Sequence, residues 1–288
     1  MKNKLNKVVS GLLFAFMLAL VATVVMPTQT TNAATKVTHH YYLGVDYLLT
    51  KGKSVTIKNS YVTKWTSENS KIASVNNNGK VVAKKGGVVT ITGFTPYGTS
   101  YTYDVGVKTS TFIPSCKTAY KVGKDISAGT YVVVRDQKCT SDDAYWSIYN
   151  KKKNGKLLCN DLFGHTSIVT LKKGQYFELR GGYAIPLKKA PKSLFTVKNL
   201  NKYTPNKYYG ASAKVGYGLP AGTYKITLLK GSTYGSINVF NNAKSSSYSY
   251  SKNYINGASV SSSKKTATIT LKKGQYVYFN GCKLNKIK

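Results

Sequence analysis

The heptapeptide Thr170-Leu171-Lys172-Lys173-Gly174-Gln175-Tyr176 recurs letter for letter as Thr270-Leu271-Lys272-Lys273-Gly274-Gln275-Tyr276. A second shared phrase stands upstream of each copy: Lys121-Val122-Gly123 with Ala128-Gly129-Thr130-Tyr131, and Lys214-Val215-Gly216 with Ala221-Gly222-Thr223-Tyr224. The heptapeptides lie 100 positions apart and the upstream phrases 93, so the later copy carries seven more residues between them. Identity spaced in this way describes a tandem duplication of whole domains, because the unit is too long for one turn of a solenoid.

The phrases read as turn and strand. Glycine tolerates positive φ and closes a turn at little cost. Alternation follows each turn. Tyr224, Ile226 and Leu228 share a face against Lys225 and Thr227; Val277 and Phe279 oppose Tyr276 and Tyr278; Phe177 and Leu179 oppose Glu178 and Arg180. Period two with aromatic and branched residues marks half-buried strands. Each copy is therefore expected to be a small antiparallel β-sandwich in an all-β protein. Copy one spans about 116–187, a connector with Pro191 and Pro205 spans 188–205, and copy two spans 206–288.

The chain opens as a secretory signal peptide over 1–33. Lys2, Lys4 and Lys7 precede an apolar stretch, and Thr31-Asn32-Ala33 is a small-residue cleavage site. The stretch is long enough to approach a membrane span, but Ser10 and Gly11 interrupt it, so no stable membrane insertion is expected after cleavage. The formal charge is +34, of which the three leader lysines account for three, leaving +31 on the mature chain. Arg135 and Arg180 are the only arginines. Such a field favours polyanions, an anionic cell-wall polymer or other acidic glycan among them. Lysine in place of arginine argues against bidentate base readout, so no specific nucleic-acid partner is expected.

Between leader and repeats, Trp65-Thr66-Ser67-Glu68-Asn69, Ile72-Ala73-Ser74-Val75, Gly79-Lys80-Val81-Val82-Ala83, Gly86-Gly87 and Thr90-Ile91-Thr92 stand in order. This run, about 48–108, resembles the group 2 bacterial immunoglobulin-like domain of intimin- and invasin-type surface proteins. The resemblance implies an Ig-like β-sandwich over 34–108 and no catalytic residues. Read from the residues, Trp65 would plug the core, Asn76-Asn77-Asn78-Gly79 is a hairpin turn, and Val81 and Ala83 point inward. The segment from Ser54 to Trp65 is shorter than in that family, which leaves one edge strand in question. A linker is expected at 109–115. The paired copies resemble domains of secreted and surface proteins of Gram-positive bacteria, through Gly123–Tyr131 and the Leu-Lys-x-Gly-Gln-Tyr phrase.

Catalytic chemistry finds little support. His39 and His40 are adjacent and would face opposite ways on a strand. Cys159, Asp161 and His165 could be written as a thiol-nucleophile set, but four cysteines in a secreted chain point to disulfides. Cys139 and Cys159 bracket one hairpin and are expected to pair; Cys116 and Cys282 are then left to pair across the copies. Asp142-Asp143 offers too few ligands for calcium, and no Cys-x-x-Cys pair supports zinc. Glu68 and Glu178, the only glutamates, lie in different domains, which argues against the paired carboxylates of a glycosidase. No catalytic residue, metal or cofactor is expected.

The 24 tyrosines are more suggestive. Tyr248 and Tyr250 would share a strand face, and with Tyr254 and Trp146 they could stack on sugar rings. Three readings follow. The first is a non-catalytic secreted or wall-associated surface or adhesion-type protein, held to anionic wall polymer by its charge. The second is a carbohydrate-binding protein using exposed Tyr and Trp. The third, a hydrolase of unrecognised type, is argued against by the scarce acids and histidines.

Overall fold

The computed structural model describes residues 44–138, 144–152, 155–203, 210–245 and 250–288. They form three β-sandwiches in chain order. The first contains β1 (Tyr47–Thr50), β2 (Ser54–Thr56), β3 (Lys64–Ser67), β4 (Ala73–Val75), β5 (Lys80–Ala83), β6 (Gly87–Phe94) and β7 (Ser100–Lys108). Its sheets run β1-β7-β6-β3 and β2-β5-β4. Strand β1 lies parallel to β7, and the other pairings are antiparallel. Trp65, Val81, Ala83, Val89, Ile91, Val105 and Val107 fill the space between the sheets. Asn76 holds the β4–β5 turn by accepting from the Asn78 and Lys80 amides at 3.1 and 2.9 Å, and Gly79 sits there at φ 73°. A Cβ on Gly79 would come within 2.5 Å of the Ile57 carbonyl oxygen and 3.2 Å of the Trp65 ring. The edge strand left in question by the short Ser54–Trp65 segment is present as β2, paired with β5 through three residues.

The repeats share one topology. The first holds β9 (Tyr120–Lys121), β10 (Gly129–Arg135), β11 (Ala144–Tyr149), β12 (Leu157–Phe163), β13 (Thr166–Leu171), β14 (Tyr176–Arg180) and β15 (Gly182–Pro186), preceded by β8 (Ile113–Pro114). The second holds β16 (Ala211–Lys214), β17 (Gly222–Leu228), β18 (Tyr234–Phe240), β19 (Tyr254–Ser261), β20 (Thr266–Leu271), β21 (Tyr276–Asn280) and β22 (Cys282–Lys286). The sheets are β12-β11-β14-β9 with β13-β10-β15-β8, and β19-β18-β21-β16 with β20-β17-β22. Apart from β8, which has no strand counterpart in the second repeat, the order is the same. The extra residues of the second copy fall mainly between β18 and β19, at 241–253, where the first copy has only 150–156.

The repeated phrases are complementary halves of one contact. The Val122 and Val215 amides donate to the Gln175 and Gln275 carbonyls, both at 2.8 Å. The Gln175 and Gln275 side chains reach back to the Lys172 and Lys272 amides, both at 2.7 Å, and so tie the turn to itself. Lys173 and Lys273 lay their stems over Gly123 and Gly216, where a Cβ would stand 2.8 Å from the lysine Cγ in each copy. The Tyr131 and Tyr224 hydroxyls donate to the Ser127 and Pro220 carbonyls at 2.8 and 2.7 Å. Several of the repeated residues therefore contact one another across the two phrases, which is a physical reason for both phrases to persist together.

The segments between sandwiches are structured. Within the expected linker, Ile113 and Pro114 form β8 and extend the first repeat's sheet by pairing with Ala184 and Tyr183. Phe112 stacks on Tyr183 with centroids 4.7 Å apart. The expected connector forms two 3-10 turns, Leu187–Lys189 and Lys192–Phe195, and the helix α1 (Val197–Tyr203). Phe195 and Leu200 are fully buried in the second repeat's core. Asn201 does for β22 what β8 does for β15: its side-chain amide donates to the Leu284 carbonyl at 2.7 Å and accepts from the Leu284 amide at 2.9 Å. Leu284 corresponds to Ala184, so both edges are satisfied at the same position by different means.

The two repeats are joined without a gap in packing. Val132, Val134 and Ile168 of the first belong to the same core cluster as Tyr224, Ile237 and Phe279 of the second. The Gly164 amide donates to the Gly210 carbonyl at 3.1 Å and the Thr170 amide to the Lys244 carbonyl at 2.7 Å. A buried polar chain crosses the same joint. Trp146 Nε1 donates to Ser167 Oγ at 2.9 Å, Ser167 Oγ donates to Asp161 Oδ2 at 2.5 Å, and Lys244 Nζ reaches Asp161 Oδ1 at 2.6 Å.

Candidate functional site

Alternation on β11 divides its side chains. Ala144, Trp146 and Ile148 point into the core; Tyr145, Ser147 and Tyr149 fall on the other face, where the two tyrosines are half-buried and Ser147 is buried beneath its neighbours. On the neighbouring β14, Tyr176, Glu178 and Arg180 point out. The register sets Tyr145 beside Arg180, Ser147 beside Glu178 and Tyr149 beside Tyr176. Beyond them lie Lys121 of β9 and Asn160 of β12. One outward sheet face thus gathers three tyrosines, a carboxylate, a guanidinium, a hydroxyl and an amide.

The groups on this face are mutually fixed. Arg180 holds Glu178 Oε1 through Nε at 3.0 Å and Nη2 at 2.5 Å. Ser147 Oγ donates to Glu178 Oε2 at 3.2 Å, and Asn160 Nδ2 donates to the Tyr145 hydroxyl at 3.5 Å. The Arg180 guanidinium lies 5.9 Å from the Tyr145 centroid and Lys121 Nζ 5.8 Å from that of Tyr176, cation–π distances in both cases. The Ser147 hydroxyl pulls the Tyr149 phenol down, but burial and the nearby Tyr145 and Glu178 outweigh it and push its pKa up. Tyr149 therefore remains a neutral donor through physiological pH. Beside the face, Tyr149, Glu178, Lys117, Lys152 and Gly155 border an open depression of about 640 Å³.

The residues expected to contact a ligand lie elsewhere. Trp146 is 0% exposed and belongs to the first repeat's core, one residue out of phase with the outward tyrosines. Tyr248 lies outside the described residues, and Tyr250 begins a one-turn helix, α2 (Tyr250–Asn253), so the pair does not form a strand face. Tyr254 opens β19, is 38% exposed and packs edge-on against Phe240 at 6.0 Å. The equivalent face of the second repeat is partly consumed by the joint: Lys244 Nζ sits 4.9 Å from the Tyr278 ring, and burial, with Asp161 nearby, pushes Tyr278 up to about 12.

The cysteines are free thiols at all three described positions. Cys116 is buried in the first repeat's core and Cys282 in the second's, so no bridge joins them. Burial pushes Cys282 up to about 12. Cys159 is partly buried, and Cys139, its expected partner, lies outside the described residues. Asp161 is engaged by Ser167 and Lys244, and His165 Nε2 faces the Leu194 carbonyl at 3.1 Å, so each of these side chains has a structural partner. Burial lowers His165 to about 4, against a smaller upward pull from the Leu194 carbonyl. His39, His40, Asp142 and Asp143 lie outside the described residues. Among the described residues no group of three or more His, Cys, Asp and Glu could hold a metal ion. No helix among them is long and apolar enough to cross a membrane.

Residues 28–105 match the family model of the bacterial Ig-like domain (group 2). The match takes in the first sandwich almost to the end of β7 and begins upstream of the described residues. No curated protein matches the chain. Among solved structures, the Bacteroides ovatus mixed-linkage glucan utilization locus SGBP-B, in complex with a mixed-linkage heptasaccharide, is 15% identical, with a TM-score of 0.17. The alignment covers 49% of this chain and 48% of that one, so this chain spans about half its length. A score of that size does not establish a shared fold.

The outward face carries one signal in the sequence. Glu178 and Arg180 are one of two glutamates and one of two arginines, placed two apart on one strand face. In a lysine-rich chain, that pairing of scarce residues beside alternating tyrosines marks the place.

Proposed function

We propose that this is a non-catalytic, secreted binding protein of a bacterial surface, in which the Ig-like module presents the repeats and the first repeat's outward face takes a carbohydrate. The observation that carries the reading is the Tyr145–Tyr149–Tyr176 face with Glu178 and Arg180 set into it. Sugar rings offer apolar C–H faces and hydroxyls that both donate and accept. Tyrosine rings supply amphipathic stacking surface, while Glu178 and Asn160 supply an acceptor and a donor whose positions are fixed by Ser147 beneath and by Tyr145. The face is open, which suits a polymer lying across it better than a small molecule enclosed by it. One carboxylate tied to Arg180 and Ser147 does not supply the opposed pair used in glycoside hydrolysis.

A second reading rests on charge. Lys51, Lys53, Lys58, Lys64, Lys71, Lys80, Lys84 and Lys85 of the Ig-like module are all exposed, on several elements. Spread in this way they attract anionic wall polymer diffusely, each contact contributing about 0–1 kcal/mol. The two readings separate on a glycan array followed by calorimetry. Selective binding of a neutral glycan, lost in Tyr149→Ala and weakened in Glu178→Gln, supports the sheet face. Binding graded only by the acidity of the polymer, and abolished at about 1 M salt where screening falls to about 3 Å, leaves charge alone.

A further inference from the structure

We propose that the cleft between the Ig-like module and the first repeat is a built site for an oxyanion of a phosphodiester polymer. This rests on the polyanion reading above and narrows it to one place; it is independent of the tyrosine face. The cleft encloses about 540 Å³. Lys108 and the Thr109-Ser110 turn line it from the Ig-like side, and Lys124, Ser127 and Lys173 line it from the first repeat.

The duplication supplies an internal comparison. The corresponding place in the second repeat is plugged. Tyr217 stands where the first repeat has Lys124, donates its hydroxyl to the Ala190 carbonyl at 2.8 Å, and packs edge-on against Phe195 at 5.9 Å. Gly218 stands where the first repeat has Asp125, and a Cβ there would lie 2.2 Å from the Lys192 carbonyl oxygen. In the second repeat, then, this turn is a packing surface. In the first repeat it is open, its aromatic plug is a lysine, and a third lysine arrives from another module.

Two of the lysines are positioned by contacts of their own. Lys108 Nζ donates to the Asp125 carbonyl at 2.8 Å and lies 5.8 Å from the Tyr120 centroid, so its ammonium is fixed across the joint with further donors to offer. The Lys173 stem lies over Gly123. Asp125 also lines the cleft, and its carboxylate accepts from the Lys121 amide at 2.8 Å. Among the described residues no carboxylate forms an ion pair with Lys108, Lys124 or Lys173. Lysine is a point-charge donor that reads phosphate without bidentate geometry, and the Thr109, Ser110 and Ser127 hydroxyls suit the remaining oxygens.

The repeat also supplies the control. Lys173→Gln and Lys273→Gln remove the same charge from the same turn, one at the cleft and one away from it. The probes are inorganic tripolyphosphate and polygalacturonate, titrated by calorimetry and by amide chemical-shift mapping on the full mature chain. The expected result is saturable tripolyphosphate binding that shifts the amides of 109–110 and 123–128. It should weaken about fivefold in Lys173→Gln or Lys124→Tyr, the upper end for one exposed ion pair, and remain unchanged in Lys273→Gln. Equal weakening in both glutamine variants, or shifts spread over all three sandwiches, overturns the cleft and leaves diffuse attraction standing. Equal affinity for polygalacturonate at the cleft overturns the phosphodiester assignment. Absence of binding to either probe overturns both the cleft and the polyanion reading.

Discussion

Replacing Lys244 by alanine should loosen the joint between the repeats. The Asp161 side chain is 7% exposed and its partner Lys244 21%. Asp161 also accepts from Ser167, which in turn accepts from the core indole of Trp146. Without Lys244 the carboxylate keeps one hydroxyl donor and is left without its counter-charge in a packed seam. Stripping one partner from a fully buried pair costs about 3–5 kcal/mol. Lys244 is partly solvated, so water can enter where it leaves, and about 2–3 kcal/mol is the expected loss on that scale. For a unit of this size that lowers the melting temperature by about 4–12 °C. Asp161→Asn should cost less, about 1 kcal/mol, because asparagine keeps an acceptor for Ser167 and Lys244 can turn to water. Calorimetric melting and denaturant titration of wild type and both variants check this. The shared core further requires one cooperative transition for the two repeats. A Lys244→Ala protein within about 0.5 kcal/mol of wild type, the range of ordinary surface changes, would show that the pair is effectively solvated and the reasoning wrong.

Acid should destabilise the fold through His165. Its folded pKa, about 4, lies below its unfolded value near 6.5. Its contribution is therefore complete above pH 6.5 and is lost as pH falls toward 4, reaching at most about 3 kcal/mol; His165→Gln should flatten that slope, and an unchanged slope would place the titration elsewhere. Gly274→Ala meets no atom within 4 Å and should cost only the strain of φ 93°, about 1–2 kcal/mol. Gly218→Ala should cost distinctly more on denaturant titration, since its Cβ meets the Lys192 carbonyl; equal losses would mean that the connector yields freely. In reduced protein under native conditions, iodoacetamide should label Cys159 well before the buried Cys116 and Cys282, and mass spectrometry showing early Cys282 labelling would contradict its burial.

What the sequence determined by itself was everything that depends on neighbouring residues. Positive-φ glycines at Gly123, Gly174, Gly216 and Gly274 and the alternation after them describe turn and strand directly, and identity between the copies carries that reading twice. The Trp65 core plug and the Asn76–Gly79 turn were legible for the same reason. Facing was decided elsewhere. Trp146 and Tyr149 differ in fate because a strand flips every side chain with each step, so the phase of β11 against β14, set by pairing across the sheet, decides which aromatics meet solvent. Thiols also cannot be paired by counting: Cys116 and Cys282 are held in separate cores, and only packing places them there. The same holds for the inter-module cleft. The turn after Gly216 carries Tyr217 and packs on Phe195, while the turn after Gly123 carries Lys124 in its place and is left open beside Lys108. Its chemistry comes from what the rest of the chain brings against it, and contacts between distant segments are set by tertiary packing, not by local pattern.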